Sequence, residues 1–401
     1  MPADRPRILV KQDTGRYYFF AQCPRGVSGV LAEELTALGA QHCVAAEAGV
    51  SFDGPFELIY TTNLYSRIAS RILWRVAQLP YTNEEDIYTA ASAVRWHTYF
   101  TADRTFKVET NAHRSPVKSL DFVTLRVKDA IADHFRSATG RRPNVEPRNP
   151  DLRIHVFLDA KTCTLYVDTS GESLFKRGRR DHVGEAPLKK NLAAGILAIA
   201  GWRPGTPLLD PMCGGGTFLG EAAEIWLGRA AGRQREFAFQ KLARFNESAW
   251  DRMLANAKKA EKPLEKLPIF GSDLYGRSLG HAALNLKEAG LEEAVTLKQA
   301  NTLEISAPSG HGTIVTNPPY GVRLGEKEQL AKFYPELGDV LKKKFSGWTA
   351  FIFSGDPDLA KLIRLQASRK TVLYNGALEC RLYEYRIVRG GNRREDQRPK
   401  R

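Results

Sequence analysis

The chain has 401 residues, of which 43% are hydrophobic and 26% charged, proportions that are typical of globular proteins and exclude disorder of the whole chain. Its 59 Lys and Arg outnumber its 45 Asp and Glu, giving a formal net charge of +14, which favours binding to a polyanion such as nucleic acid. No apolar run reaches the roughly 18 residues of a membrane span, and residues 1–11 lack the apolar core of a secretory signal. We therefore expect a cytoplasmic protein with no membrane partner.

The cysteines and histidines give no indication of a metal centre. The five cysteines are scattered, odd in number and without a C-x-x-C pair, and the eight histidines show neither H-x-x-x-H nor H-E-x-x-H spacing. Such spacings are the usual signatures of zinc sites, and paired cysteines are those of disulfide frameworks. The sequence therefore predicts free thiols and no metal.

The N-terminal half predicts two small α+β units after a tail of residues 1–16. Residues 17–59 indicate a strand, a helix and a strand, because an apolar run at residues 18–21 is followed by leucines at helical spacing. In residues 60–170, the spacing of Ile68, Ile72 and Val76 predicts a helix, and a strand, a longer helix and two further strands follow. None of these elements carries a catalytic signature.

A basic linker is predicted at residues 171–185, where the composition shifts to Gly, Lys and Arg. We expect its cations to contact nucleic-acid phosphates, with a solvated linker as the alternative. A predicted helix with Arg126 and Lys128 could present a second phosphate-facing strip, although a solvated helix face explains it nearly as well. The predicted phosphate contacts in the linker are Lys176, Arg177, Arg179 and Arg180.

The C-terminal half, residues 186–388, alternates strand-like apolar runs with helical patterns. This alternation predicts an α/β fold with a doubly wound, mostly parallel sheet. The last two strands are separated too briefly for a helical crossover and are expected to be antiparallel. The polar, basic tail of residues 389–401 is expected to be disordered.

The first chemical motif is a strand that ends in an acid and turns through glycines into a helix, at residues 208–217, LLDPMCGGGT. Glycines let a ligand approach the backbone, and the helix N-terminus directs unpaired N–H groups at it. The turn suits a nucleotide-like cofactor, although it is neither the dinucleotide fingerprint nor a P-loop, and a structural turn is the alternative. Asp273 ends the next predicted strand, where α/β sheets bind ribose hydroxyls.

The second motif is NPPY at residues 317–320, which follows a predicted strand. Two prolines remove two backbone donors, leaving carbonyl groups and the Asn317 amide oxygen as acceptors. An exocyclic base amine needs such acceptors, because its lone pair is delocalised and positive charge develops when the nitrogen attacks a methyl group. Tyr320 can stack on a flipped base.

Together these motifs resemble those of class I S-adenosylmethionine-dependent methyltransferases that act on amines. The chain as a whole resembles the THUMP-domain guanine-N2 methyltransferases of 23S ribosomal RNA, in the form with a single methyltransferase domain. The resemblance extends from about Tyr18 to Ile387. It includes CPRG at residues 23–26, YSRIASRIL at 65–73, RPNV at 142–145, APLK at 186–189 and NGALEC at 375–380.

The resemblance implies a ferredoxin-like unit at residues 17–59, an RNA-binding THUMP domain at 60–170 and a Rossmann-like methyltransferase domain with a seven-stranded sheet at 186–388. It implies S-adenosylmethionine as cofactor and large-subunit ribosomal RNA, naked or in early assembly, as partner. The residues implied to bind the cofactor are Asp210, Pro211, Cys213, Gly214, Gly216, Thr217, Asp273, Leu274, Asn301, Thr302 and Asn317. Those implied to act on the target amine are Asn317, Pro318 and Tyr320, with Arg323 on the RNA.

Several alternatives share these motifs. A THUMP-containing tRNA guanine-N2 methyltransferase has the same glycine turn and tetrad, and DNA adenine-N6 methyltransferases use NPPY but lack the N-terminal RNA module. A non-catalytic RNA-binding assembly factor is a third alternative, against which the intact Asp210, Asp273 and Asn317 argue. The tetrad does not by itself distinguish adenine N6, cytosine N4 and guanine N2.

Two features concern the extent of the domains. Residues 229–266 are basic and carry Phe237, Phe239, Phe245 and Trp250, which could form an RNA surface or, as we prefer, the core of a helical insertion. Many bacterial relatives carry a second methyltransferase domain after the first. We expect this chain to perform one modification rather than two.

Overall fold

The structure is a computed structural model that describes residues 15–178, 188–319 and 326–388. The chain forms two compact units. Unit 1 comprises the residues up to Gly178 together with Ala230–Ala260, and unit 2 comprises Arg179–Arg229 and Glu261–Arg401.

Unit 1 is built on a seven-stranded sheet in the order β2-β3-β1-β4-β7-β6-β5. β4 pairs with both β1 and β7, so it joins the first strands of the chain to the later ones in one continuous sheet. The strands are β1 (Tyr17–Gln22), β2 (Gln41–Ala46), β3 (Gly49–Gly54), β4 (Arg71–Pro80), β5 (Phe106–Ala112), β6 (Leu152–Leu158) and β7 (Thr162–Asp168). The helices before residue 178 are α1 (Ser28–Ala37), α2 (Leu58–Tyr65), α3 (Glu84–Ala93) and α4 (Leu120–Thr139), with a 3-10 turn at Trp96–Thr98.

The helix predicted from Ile68, Ile72 and Val76 is wrong, because Ile72 and Val76 lie on strand β4. Residues four apart share one side of a helix, but they also share one side of a strand, whose side-chain period is two. Trp74, between them, is buried on the same side and is 2% exposed. The apolar spacing therefore fitted both structures, and pairing with β1 and β7 decided between them.

Unit 2 contains a second seven-stranded sheet in the order β10-β9-β8-β11-β12-β14-β13. Within this sheet β14 pairs antiparallel with both β12 and β13, and the other described pairs are parallel. This confirms the mostly parallel α/β sheet and its antiparallel end. The strands are β8 (Leu208–Asp210), β9 (Ile269–Asp273), β10 (Thr296–Gln299), β11 (Gly312–Thr316), β12 (Trp348–Ser354), β13 (Arg369–Asn375) and β14 (Leu378–Arg386). The helices are α5 (Lys190–Ile199), α6 (Thr217–Trp226), α8 (Gly276–Glu288), α9 (Glu326–Lys344) and α10 (Pro357–Lys361).

The order of these strands creates a crevice in unit 2. From β8 the chain continues to β9 and β10 on one side, and β11 then returns to the other side of β8. In open α/β sheets, ligands bind at such a reversal, beyond the carboxyl ends of the strands. The glycine turn, Asp273 and Asn317 all follow strands at this edge.

The segment Ala230–Ala260 lies in sequence within the predicted range 186–388 but packs with unit 1. It consists of a 3-10 turn at Ala238–Lys241 and helix α7 (Glu247–Lys259). Phe239 is fully buried, its ring centroid lies 5.0 Å from that of Tyr60, and its N–H donates to the Thr169 carbonyl at 2.9 Å. The aromatic residues therefore form a core, and it is the core of unit 1. None of the described helices is long and apolar enough to span a membrane.

Candidate active site

Asp210 lies at the end of β8 and is only 2% exposed. The Thr316 hydroxyl donates to its Oδ1 at 2.8 Å, and the Met212 N–H donates to the same oxygen at 3.2 Å. Burial raises the pKa of Asp210 to about 7, and the nearby Asp273 carboxylate adds to this shift while the two donors oppose it. The site therefore contains a buried carboxyl group whose charged form lacks a cationic partner among the described residues.

The glycine turn next to Asp210 has a left-handed backbone conformation at two of its glycines. Gly214 and Gly216 have φ values of +51° and +76°, in the left-handed region that strains residues with a Cβ atom. A Cβ atom at Gly216 would lie 3.2 Å from Cβ of Ala282, whereas one at Gly214 would meet nothing within 4 Å. Gly216 thus packs closely against α8, and Gly214 faces open space just before the start of α6.

Asp273, at the end of β9, ties this turn to the neighbouring strand. The Gly214 N–H donates to its Oδ2 at 3.0 Å, and the Tyr275 N–H donates to its Oδ1 at 3.0 Å. Each carboxylate oxygen can still accept a second hydrogen bond. Leu274 and Tyr275 are 51% and 69% exposed, so an apolar surface lies immediately after the acid.

Asn301 and Thr302, which follow β10, support the backbone of the site. The Thr302 hydroxyl donates to the Pro211 carbonyl at 2.8 Å and fixes the glycine turn from the other side. The Asn301 side chain accepts from Leu303 N–H at 3.0 Å and donates to Glu304 at 3.3 Å. Asn301 therefore stabilises its own turn, and its implied contact with adenine stays a prediction.

Asn317 directly follows β11 and has an unusual environment. Its side-chain Oδ1 is buried and has no hydrogen-bond partner among the described residues. Pro318 is buried, and the next carbonyl, that of Pro319, accepts from the Tyr334 hydroxyl at 3.3 Å. A buried carbonyl oxygen without a donor costs about 1–3 kcal/mol, so Asn317 Oδ1 is an acceptor whose hydrogen-bonding capacity is unused among the described residues.

Cys213 is not placed as a nucleophile. The residue is 6% exposed, and burial, with the nearby Asp210 and Asp273 carboxylates, raises the pKa of its thiol far above the usual range. A thiol, unlike a thiolate, is a poor nucleophile. The described residues also contain no cluster of three or more metal-ligating side chains.

Residues 177–384 match the family described as RMKL-like methyltransferase domain, residues 81–168 match the THUMP domain, and residues 18–73 match the RlmL ferredoxin-like domain. The chain belongs to this methyltransferase family. The predicted family and the fold class, a ferredoxin-like and THUMP region before a Rossmann-like domain, are confirmed.

Full-length similarity supports the same conclusion. A Synechocystis protein named "Putative RNA methyltransferase" is 38% identical over 370 residues, covering 92% of this chain and 96% of its own length. "Ribosomal RNA large subunit methyltransferase K/L" of Syntrophotalea carbinolica is 41% identical over 382 residues, but the match covers only 53% of its length. The chain thus spans about half the length of its K/L relatives. A solved structure described as "a putative methyltransferase complexed with SAH" is 31% identical, with a TM-score of 0.85 over 94% of this chain and 100% of its own.

The predicted RNA contacts differ in how exposed they are, and several lie outside the described residues. Arg177 is 7% exposed and donates to the Arg67 carbonyl at 3.0 Å, so it holds the chain within unit 1 and does not lie on the surface, contrary to the prediction. Lys176 pairs with Glu172 at 2.9 Å on the surface. Arg179, Arg180, Tyr320 and Arg323 lie outside the described residues.

On helix α4 the two predicted cations are already paired. Arg126 pairs with Glu85, and its guanidinium lies 4.1 Å from the ring centroid of Tyr88, while Lys128 pairs with Asp129 at 3.1 Å. Exposed pairs of this kind are weak and do not prevent phosphate contact. The strip stays a prediction.

Sequence reasoning missed Thr316 and Tyr275. Thr316 is 1% exposed and holds Asp210 from the neighbouring strand, yet a threonine ending a β-strand is too common to single out. Tyr275 directly follows the predicted Asp273–Leu274 pair, so its position after an acid that is predicted to bind ribose was the available signal.

Proposed function

We propose that this protein transfers a methyl group from S-adenosylmethionine to N2 of a guanine in large-subunit ribosomal RNA. The observation that carries the proposal is the buried, unpartnered Oδ1 of Asn317 at the carboxyl edge of the sheet. It is an acceptor in the position where a base amine needs one. The neighbouring turn, with Gly214, Asp210 and Asp273, suits the methyl donor.

The residues of the glycine turn fit S-adenosylmethionine. The open space at Gly214 admits the ligand against the backbone, Asp210 offers a carboxylate to the methionine ammonium, and Asp273 has lone pairs for two ribose hydroxyls. When bound, the cofactor supplies a methyl group attached to a positively charged sulfur. A cation close to Asp210 would also favour its ionised form, which otherwise has no cationic partner among the described residues.

On the other side of the crevice, Asn317 and the Pro318 carbonyl act on the amine. Asn317 Oδ1 accepts a hydrogen bond from an amine N–H and stabilises the positive charge that develops as the nitrogen–carbon bond forms and the carbon–sulfur bond breaks. The nitrogen then loses a proton to water. Tyr320 would cover the flipped base, and no covalent enzyme intermediate is required, in keeping with the protonated thiol of Cys213.

Large-subunit ribosomal RNA as the substrate rests on three observations: the net charge of +14, the THUMP match and the names of the K/L relatives. Guanine N2 rests on the resemblance of the whole chain to the guanine-N2 family, because the NPPY tetrad alone does not select that amine. A ribosomal RNA substrate implies that the protein works in the cytoplasm.

Mass spectrometry of nucleosides tests the proposal. Ribosomal RNA from cells that lack the protein should lose N2-methylguanosine at one position, and the purified protein with S-adenosylmethionine should restore it. Gain of N6-methyladenosine or N4-methylcytidine instead would keep the chemistry but overturn the choice of base. Unchanged ribosomal RNA with methylation of tRNA would favour the tRNA alternative.

A further inference from the structure

The sheet of unit 1 has two different faces. Phe19, Ile72 and Val167 lie on the core face and are 3%, 0% and 0% exposed. The alternate residues point the other way, and on that side Tyr18 and Phe157 are 38% and 39% exposed, whereas Leu73, His155 and Thr164 between them are 2%, 6% and 3% exposed. Exposed aromatic side chains on a sheet surface commonly mark a binding site.

Four aromatic residues and one arginine form a row on this second face, which we call the aromatic face (Tyr18, Phe20, Arg75, Phe157 and Tyr166). Arg75 and Tyr166 are direct cross-strand partners on β4 and β7. The Arg75 guanidinium lies 4.2 Å from the Tyr18 ring centroid, and the Phe20 and Tyr166 rings are 6.3 Å apart. Phe157 continues the row on β6, where it pairs with Thr164 of β7.

The charge of the same face is suited to an anion. Strands β4, β5, β6 and β7 bear four cationic side chains on this side. Two of them, Lys107 and Arg153, are direct cross-strand neighbours. These strands bear two acids: Asp168 is buried and ion-paired with Arg71, and Glu109 lies 3.1 Å from Lys107 and 3.9 Å from Arg153. On the neighbouring β3, Asp53 lies opposite Tyr18 and is ion-paired with Arg16. Arg75, by contrast, donates only to the neutral Gln78 side chain among the contacts described. The cations are Arg71, Arg75, Lys107 and Arg153, and the acids are Glu109 and Asp168.

The dimensions of the face match a short run of bases. Two strands, β4 and β7, lie between Tyr18 on β1 and Phe157 on β6. The three interstrand spacings of about 4.8 Å each add up to roughly 14 Å. This length accommodates two or three stacked bases. Paired RNA does not expose its base faces, whereas loops and single strands stack bases on aromatic side chains over positively charged surfaces.

We propose that the aromatic face binds unpaired nucleotides of the RNA substrate by stacking them on Tyr18 and Phe157, with phosphates on Arg75 and Arg153. The inference rests on the proposed RNA substrate and adds the recognition surface and the form of RNA it takes. It assigns base stacking to the aromatic face of the sheet and not to the surface of helix α4.

The test uses the full-length protein and fluorescein-labelled 12-mer RNA, single-stranded or as a duplex, with binding measured by anisotropy. The variants are Tyr18→Ala, Phe157→Ala and the double variant, and Tyr18→Phe keeps the ring. The control is Phe122→Ala, because Phe122 is an equally exposed aromatic (50%) on α4. Thermal melting and binding of S-adenosylmethionine are measured on every variant.

We expect the double variant to bind the single strand at least about tenfold more weakly, the size of one or two lost base stacks. Duplex binding, Tyr18→Phe and Phe122→Ala should stay within about twofold of the wild type. The inference is overturned if the double variant binds the single strand like the wild type, or if Phe122→Ala weakens it instead. A wild-type protein that binds neither RNA would instead contradict the proposed function.

Discussion

At the scale of single residues, the candidate site contains two buried groups, the Asn317 amide oxygen and the Asp210 carboxyl group, that each lack part of their usual polar partners among the described residues. Asn317 Oδ1 has no donor among the described residues, and Asp210 accepts from two donors but has no cationic partner in that part of the chain. Both arrangements cost folding free energy. In the proposed function, the ligands would bring the missing donor and charge, a compromise between stability and function that is common at binding sites.

Replacing Asn317 by Ala should slow methyl transfer by about 10²–10³-fold, corresponding to about 2.7–4 kcal/mol in the barrier, if the side chain stabilises developing charge as an oxyanion-hole donor does. Because the replacement removes a buried orphan acceptor, the melting temperature should not fall. Asn317→Asp keeps an acceptor and serves as control, with a smaller loss expected. Single-turnover methylation measures the effect, and a near-normal rate with cofactor bound would contradict the assignment.

Asp210→Asn should change how stability depends on pH. The folded-state pKa of Asp210 is raised to about 7, so its neutral form contributes stability that is full below about pH 4 and is lost as pH rises through about 7. Asparagine does not titrate, so the melting temperature of the variant relative to the wild type should rise by several degrees between pH 5 and pH 8. Thermal melts at both pH values test this.

The same variant should bind S-adenosylmethionine much more weakly, because it lacks the carboxylate for the ammonium group. Thr316→Val is the control, since it removes the donor to Asp210 but keeps the acid. A constant difference in melting temperature across this pH range would show that Asp210 titrates normally in the folded protein.

At the scale of elements, the turn between β8 and α6 separates two uses of glycine. A Cβ atom at Gly216 would press on Ala282 of α8, whereas one at Gly214 would meet nothing within 4 Å. Both have positive φ, so backbone strain is common to the two positions, and only the space around them differs.

This difference predicts distinct effects for two alanine variants. Gly214→Ala should cost about 1–2 kcal/mol of stability from left-handed strain and weaken cofactor binding by more than the strain explains. Gly216→Ala should destabilise further, because its Cβ would also press on Ala282. Urea unfolding and calorimetric titration measure the two effects. Equal destabilisation with equal cofactor affinity would show that the open space at Gly214 is not used.

At the scale of the whole molecule, one segment between two elements of unit 2 belongs structurally to unit 1. The segment Ala230–Ala260 leaves the second sheet after α6 and completes the core of unit 1 around Tyr60 before it returns to β9. Unit 1 therefore depends on residues that lie, in sequence, within the methyltransferase domain.

We expect Phe239→Ala to destabilise unit 1 by about 3–5 kcal/mol, as for other buried aromatic residues. Hydrogen exchange should accelerate in α2 and β7, while exchange in β8 and β9 changes little. Phe345→Ala is the matched control, because Phe345 is similarly buried (1% exposed) but packs in the core of unit 2. Acceleration confined to unit 2 in the Phe239 variant would contradict the assignment of the insertion.

Much of the fold was encoded in local patterns. The alternation of strands and helices in unit 2, its antiparallel end and the motifs at the carboxyl ends of β8, β9 and β11 could be read directly, because turn glycines, prolines and strand-ending acids act over a few residues. Where a local pattern was ambiguous, as at Ile72 and Val76, only pairing with other strands decided between helix and strand.

The sequence by itself determined the family, the order of the domains and which residues meet the sheet edge. The tertiary structure decided that Asp210 is held by Thr316, 106 residues away, that Asn317 Oδ1 lacks a donor among the described residues, and that Phe239 belongs to the core of unit 1. It also decided which side of the first sheet carries the exposed aromatic side chains of Tyr18 and Phe157. The reason is that burial and hydrogen bonding between distant segments depend on how strands are ordered, and no short stretch of sequence contains that order.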